Sequence, residues 1–281
     1  MALARLHYLT QRLVRNWLPG PVAAWARRRL GGIPGGESDA PEEFADHYAE
    51  TLAREGESFA GRAVLLFGHG PSYGMGCALL QRGVTHVYLF DPYADPDDLL
   101  NRRWLAEYPG CLEETSAGIR PRPAGMTEIG AGETPHEAQL PVVDLVLSTS
   151  VFEHLDDVGL WVDKLAGITA PGGCQVHMID LRDHFFDRPF EMLCYSEAAW
   201  TRWLNPRHNL NRWRLDQYEE AFRRHWSEVR IETIGREEEL FAAARPRIRP
   251  EFLTGDPKID SITEIEVFVR GARPPTGEEA R

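Results

Sequence analysis

The chain has 281 residues, of which 43% are apolar and 26% are charged. This composition is normal for a globular protein and excludes the disordered, collagen-like and disulfide-scaffold classes. No run approaches the roughly 20 apolar residues of a membrane span, and the N-terminus lacks signal-peptide features, so we expect a cytoplasmic protein. The net charge of −12 argues against a nucleic-acid partner, because phosphate binding draws on clustered basic residues.

The N-terminal region differs from the rest of the chain in its charge. Residues 1–30 hold six arginines and no acidic residue, which leaves −18 for the remainder. Apolar residues recur there at helical spacing, and an acidic helix is expected from about residue 41 to 55. We favour a helical cap over residues 1–58 that packs on the main domain. The alternative is that the basic helix within residues 1–30 contacts a membrane surface or a partner.

From Arg62 onward, short apolar runs alternate with helical patterns. Strands are predicted over 63–67, 85–90, 142–148, 175–179, 229–234 and 264–269, with a weak strand near 118–122. Helices are predicted over 74–82, 97–107, 158–168, 197–203 and 215–225. This alternation predicts an α/β fold in which helices cover both faces of a largely parallel sheet. Residues 236–260 are expected to connect the last two strands, and residues 272–281 to form a frayed tail.

A glycine loop follows the first predicted strand. Gly68 and Gly70 flank His69 just before a predicted helix, which lets a ligand approach the backbone and the N–H groups of the helix start. Asp91 ends the next strand 21 residues after Gly70, at the spacing of a carboxylate that binds a ribose. A dinucleotide-binding motif requires glycine three positions beyond Gly70, where Tyr73 stands, and this disfavours NAD.

A later block of the sequence supports the prediction of a site for a nucleotide-like ligand. Residues 143–155 read VDLVLSTSVFEHL and precede a helix and the sequence APGG at 170–173. With the glycine loop and Asp91, this block resembles the class I S-adenosylmethionine-dependent methyltransferases, particularly the ubiquinone and menaquinone biosynthetic branch. The resemblance covers about residues 62–180. It implies a Rossmann-like seven-stranded sheet with an antiparallel last strand, and a methyltransferase domain over 59–271.

The resemblance also implies roles for individual residues. Gly68 and Gly70, with His69 between them, would contact the methionine part of the cofactor S-adenosylmethionine, and Asp91 would bind the ribose hydroxyls. Ser148, followed by Thr149, would lie beside the sulfonium. The family commonly has an acidic residue two positions before the first glycine, where this chain has Leu66. The candidates for the adenine side, after the third strand, are Thr127 and Glu128.

The methyl acceptor needs alignment and, if it is a hydroxyl, a base. The candidates for this catalytic role are His184, His154 and Asp180, and His184 is favoured because it follows the fifth strand, where ligands of open α/β sheets bind. His177 lies within a predicted buried strand, so a hydrogen-bonded core position is expected for it. Methyl transfer from a sulfonium requires no metal, and none is expected.

A helical insertion rich in aromatic residues is predicted over about 182–226. Its rings could form the core of the insertion, or they could line a substrate cover in which Asn and Arg side chains orient a polar acceptor. The pattern from Asp180 to Leu215 is similar to bacterial methyltransferases of glycan or secondary-metabolite biosynthesis. We therefore expect methyl transfer to a small polar molecule, with oxygen favoured as the acceptor atom. Carbon or nitrogen acceptors, a nucleotide-dependent oxidoreductase and a catalytically silent binding module are the alternatives, and the sequence does not define an oligomeric state.

Overall fold

The computed structural model describes residues 8–10, 12–13, 40–129, 138–185, 187–206 and 210–273. Most of the predicted N-terminal helices and nearly all of the predicted tail lie outside these residues. No helix in the described part of the chain is long and apolar enough to cross a membrane.

The centre of the molecule is a seven-stranded sheet. Its strands are β1 (Ala63–Phe67), β2 (His86–Phe90), β5 (Met126–Ile129), β6 (Val143–Thr149), β7 (Thr169–Asp180), β8 (Trp226–Arg236) and β9 (Ile262–Ala272), and their order is β5-β2-β1-β6-β7-β9-β8. The pairs among the first five strands are parallel, and β9 runs antiparallel to both β7 and β8. The predicted Rossmann-like sheet with an antiparallel last strand is confirmed.

Helices cover both faces of this sheet. They are α1 (Pro41–Arg54), α2 (Gly74–Gln81), α3 (Asp98–Glu107), α4 (Val158–Ile168), α5 (Leu215–His225) and α6 (Glu238–Ala244). Side chains of β1 alternate between the two faces, with Leu66 packed among residues of α1 to α3 and Leu65 packed among residues of α4 and α5. This burial on both sides explains why the central strands are almost entirely apolar.

Helix starts follow the local sequence. Asp97 accepts hydrogen bonds from the amides of Leu99 and Leu100 at the start of α3, and Asp157 accepts one from the Leu160 amide in α4. Proline occupies the first turn of α1, where no internal hydrogen bond is lost. The side chains of α1 join the main core, so this helix is an integral layer of the sheet domain.

The third strand of the sheet differs from the prediction. The segment predicted as a weak strand near 118–122 forms a separate hairpin, β3 (Leu112–Thr115) with β4 (Gly118–Pro121), outside the main sheet. The strand that pairs with β2 is β5, which contains Thr127 and Glu128. The two adenine-side candidates therefore lie within the strand and not after it. The connection over 236–260 is largely helical, with α6 and a short helix at Pro257–Asp260.

The insertion after β7 has its own core. A helical segment at Glu197–Ala199 continues as a π-helical turn at Trp200–Leu204. Most of its large apolar side chains are buried together with Tyr8 from the N-terminal region and residues of α6, in a cluster of Phe190, Met192, Leu193, Tyr195, Trp200, Leu204, Leu210, Phe241, Ala244 and Ile248. Most of the aromatic rings of the segment therefore form a core, whereas Trp203 is half exposed.

Candidate functional site

The glycine loop after β1 is fixed by the neighbouring strand and turn. Gly68 has a φ of +85°, and a Cβ added there would lie 2.2 Å from Cγ2 of Val151, so only glycine fits. The Gly68 amide donates to the Phe90 carbonyl at 2.7 Å, and the Gly70 amide donates to Oδ2 of Asp91 at 3.0 Å. The loop and Asp91, predicted separately from the sequence, therefore lie in direct contact at the carboxyl ends of β1 and β2.

Asp91 keeps acceptor capacity for a ligand. Each of its carboxylate oxygens accepts one backbone amide, from Gly70 or Tyr93, at 3.0 Å. A carboxylate offers about four acceptor positions, so further hydrogen bonds to hydroxyl groups remain available. The side chain is partly exposed at the edge of the sheet. Asp91 thus fits the role of a ribose-binding carboxylate.

His69 lies in the wall of the same region. Its ring is stacked on Tyr73 with centroids 5.9 Å apart, and its Nδ1 is buried with no hydrogen-bond partner among the described residues. Burial lowers the pKa of His69, although the carboxylates of Asp91 and Glu128 act in the opposite direction. Tyr73 donates to Oε1 of Glu128 at 2.7 Å. An imidazole whose Nδ1 lacks a hydrogen-bond partner among the described residues therefore adjoins the ribose-binding candidate.

Ser148 and Thr149, at the end of β6, are held by other side chains. Ser148 is fully buried, and its Oγ lies 2.8 Å from Nδ1 of His177 in the neighbouring strand. Oγ1 of Thr149 lies 2.7 Å from the Tyr48 hydroxyl of α1. Both residues stand beside the glycine loop in the sheet order, but their cofactor contacts stay a prediction. Nothing in the sequence marked Tyr48 as a residue that contacts Thr149.

A tight turn after β6 carries Glu153 and His154. Ser150 begins it with a φ of +53°, the one non-glycine residue of the described chain in the left-handed region, and such strain is common at functional sites. Asn211 of the insertion holds the turn, since its Nδ2 donates to the carbonyls of Phe152 and Leu155 and its amide to that of Glu153. The insertion therefore holds the turn in place.

This turn meets His184 from the segment after β7. The rings of His154 and His184 have centroids 4.9 Å apart at an angle of 70°. One ligand atom each of Glu153, His154 and His184 lies within 4.8 Å of the other two. Glu153 is only 2% exposed, and burial raises its pKa well above the usual value, with a further contribution from the Asp180 carboxylate. The structure thus brings together two of the three predicted catalytic residues.

Asp180, the third candidate, is already paired. Its Oδ1 accepts from the amide and Nε of Arg182, and its Oδ2 accepts from Nη2, at 2.8 to 2.9 Å. The side chain of Arg182 also reaches Glu264 on β9. Asp180 lies near Glu153, but its carboxylate belongs to this ion-pair network between β7 and β9.

The N-terminal region is connected to this site through Asp183. Oδ2 of Asp183 accepts from the Tyr8 hydroxyl at 2.6 Å, and Oδ1 is ion-paired with Arg12. Asp183 is completely buried and directly precedes His184. Tyr8 and Arg12 are four residues apart, which places them on one face of a helix. Sequence reasoning missed this contact because nothing local marks the partner of Asp183.

Two arginines of the insertion, Arg212 and Arg214, are buried. Arg214 is fully buried and donates to the carbonyls of Leu181, Asp260 and Ile262. Burial lowers the pKa of Arg214 to about 10. Arg212 donates to the carbonyls of Met192 and Tyr195 and pairs with Glu197. These side chains, with Asn211, hold the insertion together, and the alternative in which Asn and Arg side chains orient an acceptor stays a prediction.

A polar cleft of about 270 Å³ adjoins the Glu153–His154 turn on the side of the insertion. Its lining includes Asp156 and Asn211 beside that turn, and Glu197, Trp200, Asn205 and Arg212 from the insertion. Oδ1 of Asn205 and Nε1 of Trp200 are buried there without a hydrogen-bond partner in the described part of the chain. Two residues that line the cleft therefore carry buried polar atoms without a partner among the described residues.

Solved structures share this architecture. Two structures of phosphoethanolamine N-methyltransferase 2 from Haemonchus contortus are each 16% identical to the chain, with a TM-score of 0.52. One is a complex with S-adenosylhomocysteine and phosphomonomethylethanolamine, and the other a complex with S-adenosyl-L-methionine. They cover 94% and 95% of this chain, which spans about three fifths of their length, 59% and 60%. The chain has the Rossmann-like methyltransferase fold.

Further comparisons add little to this result. An S-adenosylmethionine-dependent methyltransferase from Mesorhizobium loti is 17% identical over 81% of this chain and 100% of its own, with a TM-score of 0.44. No protein-family profile and no curated protein sequence matches the chain. At these identities the similarity establishes the methyltransferase fold, and the ubiquinone and menaquinone branch suggested by the sequence stays a prediction.

Proposed function

We propose that the chain is an S-adenosylmethionine-dependent methyltransferase that acts on a small polar molecule. The contact between the Gly68–Gly70 loop and Asp91, at the strand ends of a methyltransferase fold, carries this proposal. The residues fit the cofactor, because Asp91 retains acceptor positions for ribose hydroxyls and Nδ1 of His69 lacks a hydrogen-bond partner among the described residues. The bound cofactor supplies an electrophilic methyl group on its sulfonium.

The acceptor is proposed to bind where the ends of β6 and β7 meet. His154 and His184 stand there side by side and supply the groups that contact and activate it. The neighbouring polar cleft accommodates the part of the acceptor that does not react. Oxygen is the favoured acceptor atom because histidines at this position assist loss of a hydroxyl proton. The related fold of a phosphoethanolamine N-methyltransferase keeps nitrogen as the second candidate.

We propose that the N-terminal cap is shorter than residues 1–58, the range that the sequence suggested. Because α1 packs into the main core, we place the cap before Pro41 and the methyltransferase domain from α1 onward. Tyr8 and Arg12 of the cap hold Asp183, the neighbour of His184. The cap therefore supports the acceptor side of the site and not the cofactor side.

Calorimetry with S-adenosylhomocysteine and with NAD tests the cofactor. We expect the folded chain to bind S-adenosylhomocysteine and not NAD. Asp91→Ala should weaken this binding by about 1.5 to 3 kcal/mol, the range for hydrogen bonds with a charged partner. Asp95→Ala removes the same charge at an exposed position four residues away and should leave the affinity unchanged.

Unchanged affinity in a folded Asp91→Ala protein would contradict the assignment of the ribose site. Preferential binding of NAD would support the oxidoreductase alternative. Transfer of radiolabelled methyl groups to pools of small polar molecules then separates an active enzyme from a silent binding module, for which the only sequence indication is Leu66.

A further inference from the structure

We propose that Glu153, His154 and His184 form a binding site for a divalent first-row transition metal ion. One nitrogen or oxygen from each side chain lies within 4.8 Å of the other two. Ligand atoms about 2.0 to 2.2 Å from a zinc ion lie roughly 3 to 4 Å apart, so small side-chain rotations would bring the three ligand atoms close enough to bind one ion. The two histidines come from different strand ends, and their rings are already adjacent.

The state of Glu153 independently points to a ligand. Its side chain is 2% exposed, and neither carboxylate oxygen has a hydrogen bond of normal geometry among the described residues, although the Ser150 side chain and the backbone at Glu153 and Asp180 lie near it. A buried carboxyl group without a partner costs free energy, whereas a coordinated cation satisfies it. No lysine or arginine is paired with this carboxylate in the described part of the chain, and a metal ion held by the neighbouring imidazoles would supply a cation to it.

The donor set indicates the kind of metal. Two imidazoles and one carboxylate suit Zn²⁺, Fe²⁺, Mn²⁺ or Co²⁺, whereas Mg²⁺ and Ca²⁺ prefer sets made of oxygen atoms. His154 is exposed and His184 is half-buried, so one side of the cluster faces solvent. Three protein ligands with an open side are typical of catalytic metal sites, where water or substrate takes the remaining positions.

The segments that carry the ligands are fixed before any ion binds. Asn211 holds the turn of Glu153 through three hydrogen bonds. Asp183, directly before His184, is clamped by Tyr8 and Arg12. Such supporting contacts orient metal ligands and raise affinity.

A catalytic use of this ion rests on the proposed function. The ion would bind an acceptor hydroxyl and lower its pKa, so that the proton passes to solvent water. The acceptor oxygen would then form a bond to the methyl carbon while the carbon–sulfur bond breaks and leaves S-adenosylhomocysteine. In this arrangement His154 and His184 serve as ligands, and the metal replaces a histidine base.

Metal binding can be measured without any methyl acceptor. The untagged, full-length chain, stripped with a chelator, should bind one equivalent of Zn²⁺ in calorimetry. Titration with Co²⁺ should produce visible absorption bands of a cobalt ion with nitrogen and oxygen ligands. His154→Ala changes an exposed position and does not endanger folding. It should lower the affinity for both Zn²⁺ and Co²⁺ by at least about tenfold, and so should His184→Ala and Glu153→Gln.

His86→Ala is the matched control, because it removes one histidine from β2, at the other side of the sheet. It should bind zinc like the unaltered chain. Absence of zinc and cobalt binding, or equal affinity in His154→Ala and the unaltered chain, would overturn the proposed site. Binding of S-adenosylhomocysteine to the metal-free chain is measured in parallel, so a failure of the metal site is distinguished from a failure of the proposed methyltransferase function.

Discussion

A buried hydrogen-bond chain at the end of β6 fixes the protonation of a core histidine. Nε2 of Gln175 donates to the Leu165 carbonyl and to Oγ1 of Thr169, so its Oε1 faces Nε2 of His177 at 2.8 Å. Nε2 of His177 must therefore carry the proton and donate it, and Nδ1 accepts from the Ser148 hydroxyl. This tautomer directs the Ser148 proton into the core.

The burial of His177 makes stability depend on pH. Desolvation lowers its pKa to about 3, against about 6.5 in the unfolded chain. The neutral form is present in both states above pH 6.5, and below it only the unfolded state takes up a proton. Stability is therefore lost as the pH falls from about 6.5 toward 3, by up to about 3 kcal/mol at pH 4.

Urea unfolding of the native chain and of His177→Gln between pH 4 and 8 checks this prediction. Glutamine keeps polar contacts but does not titrate, so the free energy of unfolding of the variant should fall less steeply below pH 6.5. The difference between the two proteins isolates His177 from the carboxyl groups that titrate in the same range. Parallel curves for the two proteins would contradict the prediction.

At the residue scale, the sequence predicts where a residue lies in the fold better than it predicts which side chain it contacts. The core position of His177 was expected from its apolar strand and is confirmed. The glycine loop and Asp91 were expected to bind one ligand, because Asp91 ends the next strand 21 residues after Gly70, at the spacing of a ribose-binding carboxylate. By contrast, the burial of Glu153 and the contact of Asp183 with Tyr8 depend on segments far apart in the chain, and no local pattern contains that information.

At the scale of elements, the N-terminal segment is attached by a buried charged contact. Arg12 pairs with Asp183, its guanidinium lies 4.4 Å from the Trp200 ring centroid, and Nε donates to the Tyr8 hydroxyl at 2.9 Å. Removing one partner of a buried ion pair leaves an uncompensated charge and typically costs about 3 to 5 kcal/mol. Arg12→Ala should therefore lower the melting temperature clearly.

A double variant tests the cause of this loss. Asp183→Asn removes the carboxylate that Arg12→Ala leaves unpaired, so the double variant should be more stable than the sum of the two single effects predicts. Thermal unfolding of all four proteins gives the coupling free energy. Additive effects would show that Arg12 contributes only through its packing on Trp200.

The strands that the sequence missed explain the limits of element prediction. β5 has four residues, Met126–Ile129, with two polar side chains in the middle, and its short, mixed pattern resembles a loop. The weak strand predicted near 118–122 is β4, which pairs with β3 in a hairpin outside the main sheet. The helices over 158–168 and 215–225 were predicted to the residue, because each shows apolar positions at helical spacing and α4 is also preceded by an aspartate that caps it.

At the scale of the whole molecule, the two halves of the site depend on different parts of the chain. The proposed cofactor side is built from β1, β2 and β5, whose contacts lie within the sheet domain. The proposed acceptor side combines the turn after β6, the segment after β7, the insertion and the N-terminal segment. The parallel sheet covered by helices could be predicted from alternation, and the seven strands from the resemblance to methyltransferases. This division follows from topology, which brings residues 8, 154, 184 and 211 to one edge.

This division predicts that removing the N-terminal segment separates the two activities. A chain that begins at residue 40 keeps α1 and the main core, so its affinity for S-adenosylhomocysteine should be unchanged. It loses Tyr8 and Arg12, and Asp183 then faces water or rearranges together with His184. Methyl transfer to the acceptor should therefore fall by about 10-fold or more, because misplacement of a catalytic group by about 1 Å is costly in rate.

Calorimetry and methyl-transfer assays on the shortened and complete chains provide the measurement. Arg12→Ala in the complete chain is the matched control, since it should reproduce the loss of methyl transfer in part without removing the segment. Full turnover by the shortened chain would contradict a role of the cap at the acceptor site. Binding of the complete chain to anionic vesicles, lost at high salt and on shortening, would instead support the alternative in which the six arginines of residues 1–30 contact a membrane surface.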